Sequence, residues 1–252
     1  MPRSFLTDVM WDKLAPLLPP EKGETGRPYN AHRPWIEAIL WKHRTGAPWR
    51  DLPEEFGSWK SIYSRFNRWS KVGVWQAALE VLREDADTEW LMIDSTVIRA
   101  HQQASGAEKG GSKNQAIGRS RGGLSTKVHM ICDSHGNPLD FVLTGGQTHD
   151  CTQSCTLLVG RSAVAVLADK GYDDNRTRST IQGMGAEVVI PSRSCRKAPI
   201  DHDAFLYRAR HAVENLFAKM KHFRSLATRY DKTTRNYAAM VAIACLVIWL
   251  RL

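Results

Sequence analysis

The chain has 252 residues and an ordinary globular composition, 42% hydrophobic and 24% charged, which excludes a disordered or fibrous protein. A net charge of +9, from 35 Lys and Arg against 26 Asp and Glu, points to a polyanionic partner such as nucleic acid. The five cysteines include no C-x-x-C pair, which argues against a structural zinc site and for reduced thiols.

Eight of the nine tryptophans fall in residues 1–90, and the 13 basic and 13 acidic residues of positions 1–89 cancel. Both observations place a boundary near Glu89 and divide the chain into residues 1–88 and 89–252. The whole basic excess lies in the second part, mostly in Arg99 to Lys127 and Arg193 to Arg235. In the first part the periodicity is helical. Thr7 is placed to cap a helix carrying Val9, Met10, Leu14 and Leu17, which Pro19-Pro20 stops. Asn30 precedes a second helix with Trp35, Ile36, Ile39 and Leu40 on one face, ended by Gly46 and Pro48. Leu52 to Phe56 reads as a short helix closed by Gly57, with Ser58 capping the next. Val74 to Leu82 is the last helix before an acidic linker, EDADTE.

The helix from Ser58 to Lys71 buries Trp59, Ile62, Phe66 and Trp69 on one face and turns Lys60, Ser64, Asn67, Arg68 and Lys71 away. A short helix, a Gly turn and a second helix with such a front is the pattern of a helix-turn-helix reader. It is equally the pattern of a surface helix whose polar face is only solvated.

Beyond residue 89 the pattern changes to strands. WLMID (90–94) reads as a short buried strand ending on Asp94. STKVHMICD and GNPLDFVLT, joined by SHGN, read as a β-hairpin. Gln153 to Val159 suits a helix, and SAVAVLADKGY holds a buried strand ending on Asp169. A helix from Asp173 to the glycines at 183–185, the strand AEVVIP, a basic loop SRSCRKAP and a long helix from about His202 to Phe223 follow. This is a mixed α/β layer with helices packed on a sheet. The apolar run from Ala238 to Leu250 is too short for a comfortable membrane span and is expected as a buried helix. No signal peptide opens the chain.

Asp94 and Asp169 each end a short apolar strand, so neighbouring strands would bring their carboxylates together at one sheet edge. Two such charges repel unless a cation lies between them. Mg²⁺ suits one or two carboxylates plus water and phosphate oxygens, and a third carboxylate completes a two-metal site. Glu214 is the third candidate. At 100° per residue, Tyr207, Arg210, Glu214 and Lys221 form a polar ridge beside the apolar stripe of Leu206, Ala209, Val213, Leu216 and Met220. Taken singly, each acid also reads as a turn residue or part of a surface ion-pair ladder. The GAEKGGSK segment lacks the P-loop order of Gly and Lys. Residues 106–123 read as a flexible basic loop, with Arg119 and Arg121 in it and Lys127 just beyond as further DNA contacts. His149, in GGQTHD, lies near the site as a residue that orients water or phosphate, or as a turn or cap residue.

The spacing Tyr207, Arg210, Glu214, Lys221 in YRARHAVENLFAKMK resembles the Tyr-Arg-Glu-Lys signature of bacterial insertion-sequence DDE transposases of the insertion-sequence-five family. MIDSTVIRAH resembles the family's first acidic motif, LADKGYD its second, and GAPWRDLPEEFGSWKSIYSRFNRW its N-terminal DNA-binding segment. The resemblance implies a ribonuclease H-like catalytic domain over 89–252, behind a helix-turn-helix-type DNA-binding domain over 1–88. It implies two Mg²⁺ or Mn²⁺ ions on Asp94, Asp169 and Glu214, with Tyr207, Arg210 and Lys221 on DNA near the scissile phosphate. Double-stranded DNA as partner, a homodimer on that DNA, and a cytoplasmic, nucleoid-associated location follow from the same resemblance. Two other functions fit the residues: a metal-dependent nuclease without strand transfer, and a transposase-derived repressor without catalysis.

Overall fold

The computed structural model describes residues 5–21, 31–105 and 115–251. The axis of its sheet is strand β1 (Trp90–Ala100), whose Leu91, Met92 and Ile93 are fully buried. Across β1 the order is β2 (Gly118–Ser120), β3 (Gly123–Cys132), β1, β5 (Ala165–Ala168) and β6 (Glu187–Val189). Strand β4 (Pro138–Gly145) pairs with β3 as the second arm of the expected hairpin, and the two-residue β7 (Thr228–Arg229) pairs with β1. Strands β1, β5 and β6 run parallel, and β3 is antiparallel to β1. A parallel strand covered on both faces must be apolar throughout, which is why β5 reads as the uninterrupted run AVLA.

Strand β1 does not stop at Asp94, as the sequence suggested, but continues six residues further, to Ala100. The reason is its partner. Strand β3 pairs along the entire stretch, from Met92 opposite Cys132 to Arg99 opposite Ser125. Strand β5 ends at Ala168, opposite Ile93, so from Asp94 onward β1 loses that neighbour.

Helix α1 (Asp8–Leu14) is capped as expected, Thr7 Oγ1 accepting from Met10 N at 3.2 Å. Helix α2 (His32–Thr45) ends at Gly46 in the left-handed region, φ 73°, where glycine carries no penalty. It begins at Ala31 without a side-chain cap, and Asn30 lies outside the described residues. The short helix expected over Leu52–Phe56 is a single 3-10 turn at Glu54–Phe56, because Pro53 holds Leu52 extended. Residues 46–58 therefore separate α2 from α3 (Trp59–Val72), too far for the tight joint of a helix-turn-helix at that point. Ser58 takes the N-cap position but its hydroxyl makes no capping bond. The tight joint comes one helix later, at Gly73 (φ 78°) between α3 and α4 (Val74–Leu82).

In the second part, α5 (Ser154–Leu158) and α6 (Asn175–Gly183) flank the sheet. The long helix expected near its end is interrupted: α7 (Ala204–Tyr207), a 3-10 turn at Arg208–Arg210, then α8 (His211–Lys221). Helices α9 (Arg224–Ala227) and α10 (Thr234–Trp249) close the chain. The apolar run is the body of α10, almost wholly buried, with α3, α4 and β4 against it. Among the described residues no helix is long and apolar enough to cross a membrane. The hydrophobic core passes through the boundary at residue 89 without a break, and Lys42 Nζ on α2 donates to Ser225 Oγ on α9 at 3.0 Å.

Candidate active site

Because Ile93 and Ala168 are partners in parallel strands, the next residues, Asp94 and Asp169, stand side by side where β5 ends. Asp94 Oδ1 accepts from Ser95 N at 2.7 Å, and Asp169 Oδ1 from Gly171 N at 2.8 Å, capping the turn Lys170–Tyr172. Glu214 is exposed on α8, whose Val213, Leu216 and Met220 face inward as the apolar stripe required. It reaches the pair through Arg210, whose Nη1 donates to Asp94 Oδ2 at 3.0 Å and whose Nη2 donates to a Glu214 carboxylate oxygen. Arg210 was expected to meet phosphate; here it joins the first and third acids. Among the described residues no three acidic, His or Cys side chains form a ready-made metal cage. The donor set is nonetheless hard oxygen throughout, with acids converging on one guanidinium as they would on a cation, which suits Mg²⁺ or Mn²⁺.

The Asp94 carboxyl is pushed up to about 6, by burial first and further by the charge of Asp169, against the opposing pull of Ser95 N and Arg210. Below that pH Asp94 holds a proton that an incoming cation would have to displace. Mn²⁺ affinity, followed by titration, is therefore expected to fall by up to about tenfold per pH unit below about 6. For the same reason the metal-free fold loses stability as pH rises from the ordinary range of a free carboxyl to about 6.

Gly171 has no room for a side chain. A Cβ there would lie 2.8 Å from Asp169 Oδ1 and 3.5 Å from Asp150 Oδ2. Gly171→Ala must shift the Asp169 carboxylate oxygen that rests on the 171 amide. Mn²⁺ affinity is expected to drop about tenfold with little change in the melting curve.

Asp150 was not singled out in the sequence, which drew the eye to His149. The His149 side chain is exposed, and His149 holds the N-cap of the 3-10 turn Asp150–Gln153 without a side-chain bond. Asp150 faces the site instead. Its Oδ1 accepts from Ser95 Oγ at 2.5 Å and from Lys127 Nζ at 2.8 Å. Burial pushes the Asp150 carboxyl up, but the bonds from Lys127 and Ser95 outweigh it and hold the group below its ordinary value. Tyr172 is packed beneath: burial first, then the charges of Asp150, Asp94 and Asp169, drive its phenol well above the ordinary tyrosine range. Lys127, expected on DNA, is buried in β3 and bound to Asp150 and to Thr148 O. The signal was present, since a lysine inside the covered run STKVHMIC needs an acidic partner.

A second cluster clamps the turn that carries Asp169. Buried Asp173 accepts from Arg178 Nε at 2.7 Å, Arg193 N at 2.7 Å and Arg196 Nε at 2.9 Å. Arg193 also donates to Lys170 O at 2.9 Å and to Gly171 O. Burial alone would raise Asp173; Arg196, the Arg193 amide and Arg178 bring it down to about 2.

The remaining candidates are dispersed. Lys60, Ser64, Arg68 and Lys71 are exposed on α3, but Asn67 is half-buried and its Oδ1 accepts from Arg235 Nη2 on α10 at 2.7 Å. That contact occupies the amide oxygen of Asn67 and leaves its two N–H donors. Arg65, on the same helix, is buried with its guanidinium 3.3 Å over the Trp35 ring. Tyr207 is half-buried with Arg210 5.7 Å from its ring centre, and Lys221 is exposed at the end of α8. Arg119 and Arg121 are exposed on the hairpin of β2 and β3, while residues 106–114 of the basic loop lie outside the described residues.

The family model described as a transposase DDE domain matches residues 85–249, and that of a putative transposase of the IS4/5 family matches residues 6–79. The putative transposase for insertion sequence element IS6501 from Brucella ovis is 36% identical over 130 residues, 51% of this chain and 100% of that protein. Uncharacterized protein y4sN of Sinorhizobium fredii is 44% identical over 114 residues, 44% of this chain and 90% of that one. Among solved structures, the piggyBac transposase synaptic complex with hairpin DNA superposes with a TM-score of 0.51 at 13% identity, covering 97% of this chain and 71% of that one. That likeness gives the fold: a mixed, ribonuclease H-like α/β sheet with flanking helices.

Proposed function

The chain belongs to the DDE transposases of bacterial insertion sequences, and we propose that it binds the ends of its element, cleaves the phosphodiester at the terminus and transfers the 3′-hydroxyl strand to target DNA. The observation that supports this most is the placement of Asp94 beside Asp169, with Glu214 linked to Asp94 by Arg210. Asp94, Asp169 and Glu214 would hold two Mg²⁺ or Mn²⁺ ions, which when bound activate the attacking oxygen and stabilise the leaving one. Asp94 must shed its proton before it can serve, so the site favours neutral pH. Gly171 puts no side chain between the carboxylates of Asp169 and Asp150.

DNA is held by the basic second part and by residues 1–88, whose α3 turns Lys60, Ser64, Arg68 and Lys71 outward. Tyr207 stands beside Arg210 at the site, and Lys221 lies about 10 Å along the helix axis from Glu214, a span that suits a neighbouring phosphate. Lys221→Ala is expected to weaken binding to all duplex sequences alike and to lower the salt slope by about 1. Filter binding at graded salt measures it. Joining two element ends calls for two copies, so the working form on DNA is a homodimer.

The test is a labelled duplex carrying the element's end, incubated with the protein and Mg²⁺, Mn²⁺, Ca²⁺ or EDTA. Nicking at the terminus with Mg²⁺ or Mn²⁺, and joined products on adding target DNA, support the reading. Cleavage without joining makes the protein a plain nuclease, and binding without cleavage in any metal makes it a DNA-binding protein.

A further inference from the structure

Beside Asp94 and Asp169, a further carboxylate, that of Asp150, stands near the end of β5. Asp150 opens the turn after β4, and both of its neighbours are themselves fixed. Ser95 directly follows Asp94 in β1, and its hydroxyl binds Asp150 Oδ1 at 2.5 Å. Lys127 Nζ binds the same oxygen at 2.8 Å and Thr148 O at 2.6 Å, so the ammonium cannot swing away without losing two partners. With Oδ1 held by two donors, Oδ2 is turned towards residue 171. Oδ2 lies 3.5 Å from the point where a Cβ at residue 171 would stand, and Asp169 Oδ1 lies 2.8 Å from that same point. The residue there is glycine, so the space between the two carboxylate oxygens stays open.

Lys127 is buried and Asp150 half-buried, and an ion pair drawn this far out of water is seldom a gain in stability over an apolar pair of the same volume. Its location explains its presence better. A divalent cation such as Mg²⁺ keeps several of its waters when carboxylates bind it, and those waters donate hydrogen bonds that need fixed acceptors. An ionised carboxylate only accepts, and one anchored from behind by a lysine presents its free oxygen at a constant angle.

We infer that Asp150 is a positioning residue of the site: through Oδ2 it accepts from a water in the shell of the cation held by Asp94 and Asp169, while Lys127 and Ser95 fix its orientation. This rests on the metal reading above and adds to it a fourth acid with its own lysine support.

Mn²⁺ binding to the full chain, followed by electron paramagnetic resonance, tests it in four proteins: unaltered, Asp169→Asn, Asp150→Asn, and the double variant Lys127→Met/Asp150→Asn. Asp169→Asn is expected to lose Mn²⁺. Asp150→Asn is expected to bind it about tenfold or more weakly, without change in affinity for duplex DNA. That single variant leaves Lys127 buried without its acid and can melt early, so the double variant carries the decision. It removes the ion pair together; melting like the unaltered chain while still binding Mn²⁺ about tenfold more weakly is the expected result. A double variant that recovers both its melting temperature and its Mn²⁺ affinity makes the pair purely structural and overturns the inference alone. If Asp169→Asn leaves Mn²⁺ binding unchanged, the cation is not held at β5, and the metal reading falls together with this one.

Discussion

Asp169→Ala is expected to slow cleavage of an element end by about a thousandfold or more while leaving affinity for that duplex nearly unchanged. The structural duty of the side chain is small: one cap bond to Gly171 N at 2.8 Å, at the surface end of a strand whose own residues are buried. Losing such a cap costs about 1 kcal/mol, which a folded chain of this size survives. The chemical loss is large on the proposed reading, because the carboxylate beside Asp94 disappears and with it one of the three acids that would hold the metal ions. The same change removes the negative charge that helps to push Asp94 up, so Asp94 should titrate lower than about 6 in the variant. Binding should not suffer, since removing an acid leaves the protein more positive towards phosphate. Equal losses of cleavage and binding would mark Asp169 as structural, and undiminished cleavage would remove it from the chemistry.

Asp173→Asn is expected to destabilise the fold by about 3–5 kcal/mol, lowering the melting temperature by roughly 10 °C. Asp173 has no exposed side-chain surface and answers two guanidiniums, Arg178 at 2.7 Å and Arg196 at 2.9 Å, besides the Arg193 amide. Asparagine keeps the shape but not the charge, so Arg178, itself nearly inaccessible, is left buried without a counter-ion. The pH dependence has a definite sign. Held at about 2 in the folded chain against an ordinary 3.8, Asp173 contributes its stability fully above that ordinary value and loses it as pH falls through about 2. Urea melts at graded pH should show an acid-side loss in the native chain that the variant lacks. Because Arg193 ties this cluster to Lys170 O and Gly171 O, the variant should also loosen the turn that seats Asp169.

The parts of this fold that the sequence revealed are those where burial writes itself into a continuous pattern. The apolar runs LMI before Asp94 and AVLA before Asp169 announce covered strands, and two acids at their ends imply one edge. The helix stripe of Val213, Leu216 and Met220 announced which side of α8 faces the sheet, and so where Glu214 stands. What stayed hidden depends on partners far along the chain. The six residues of β1 beyond Asp94 are a strand because β3 pairs with them, not because of their own pattern. Asn67 looked free on α3, yet it is bound by Arg235, 168 positions away. Lys127 read as a DNA contact and Asp150 drew no reading, because the two are 23 positions apart until β3 and the turn after β4 bring them together. The 3-10 turn at Arg208–Arg210 leaves no trace in a pattern read at 100° per residue.

Asp94 and Asp169 would hold a divalent cation at the end of β5, and anomalous diffraction from crystals soaked in Mn²⁺ tests this most directly. The expected result is a manganese peak bridging the Asp94 and Asp169 carboxylates that vanishes in Asp169→Asn crystals. No peak at the end of β5, or one that persists when Asp169 is replaced, would contradict it.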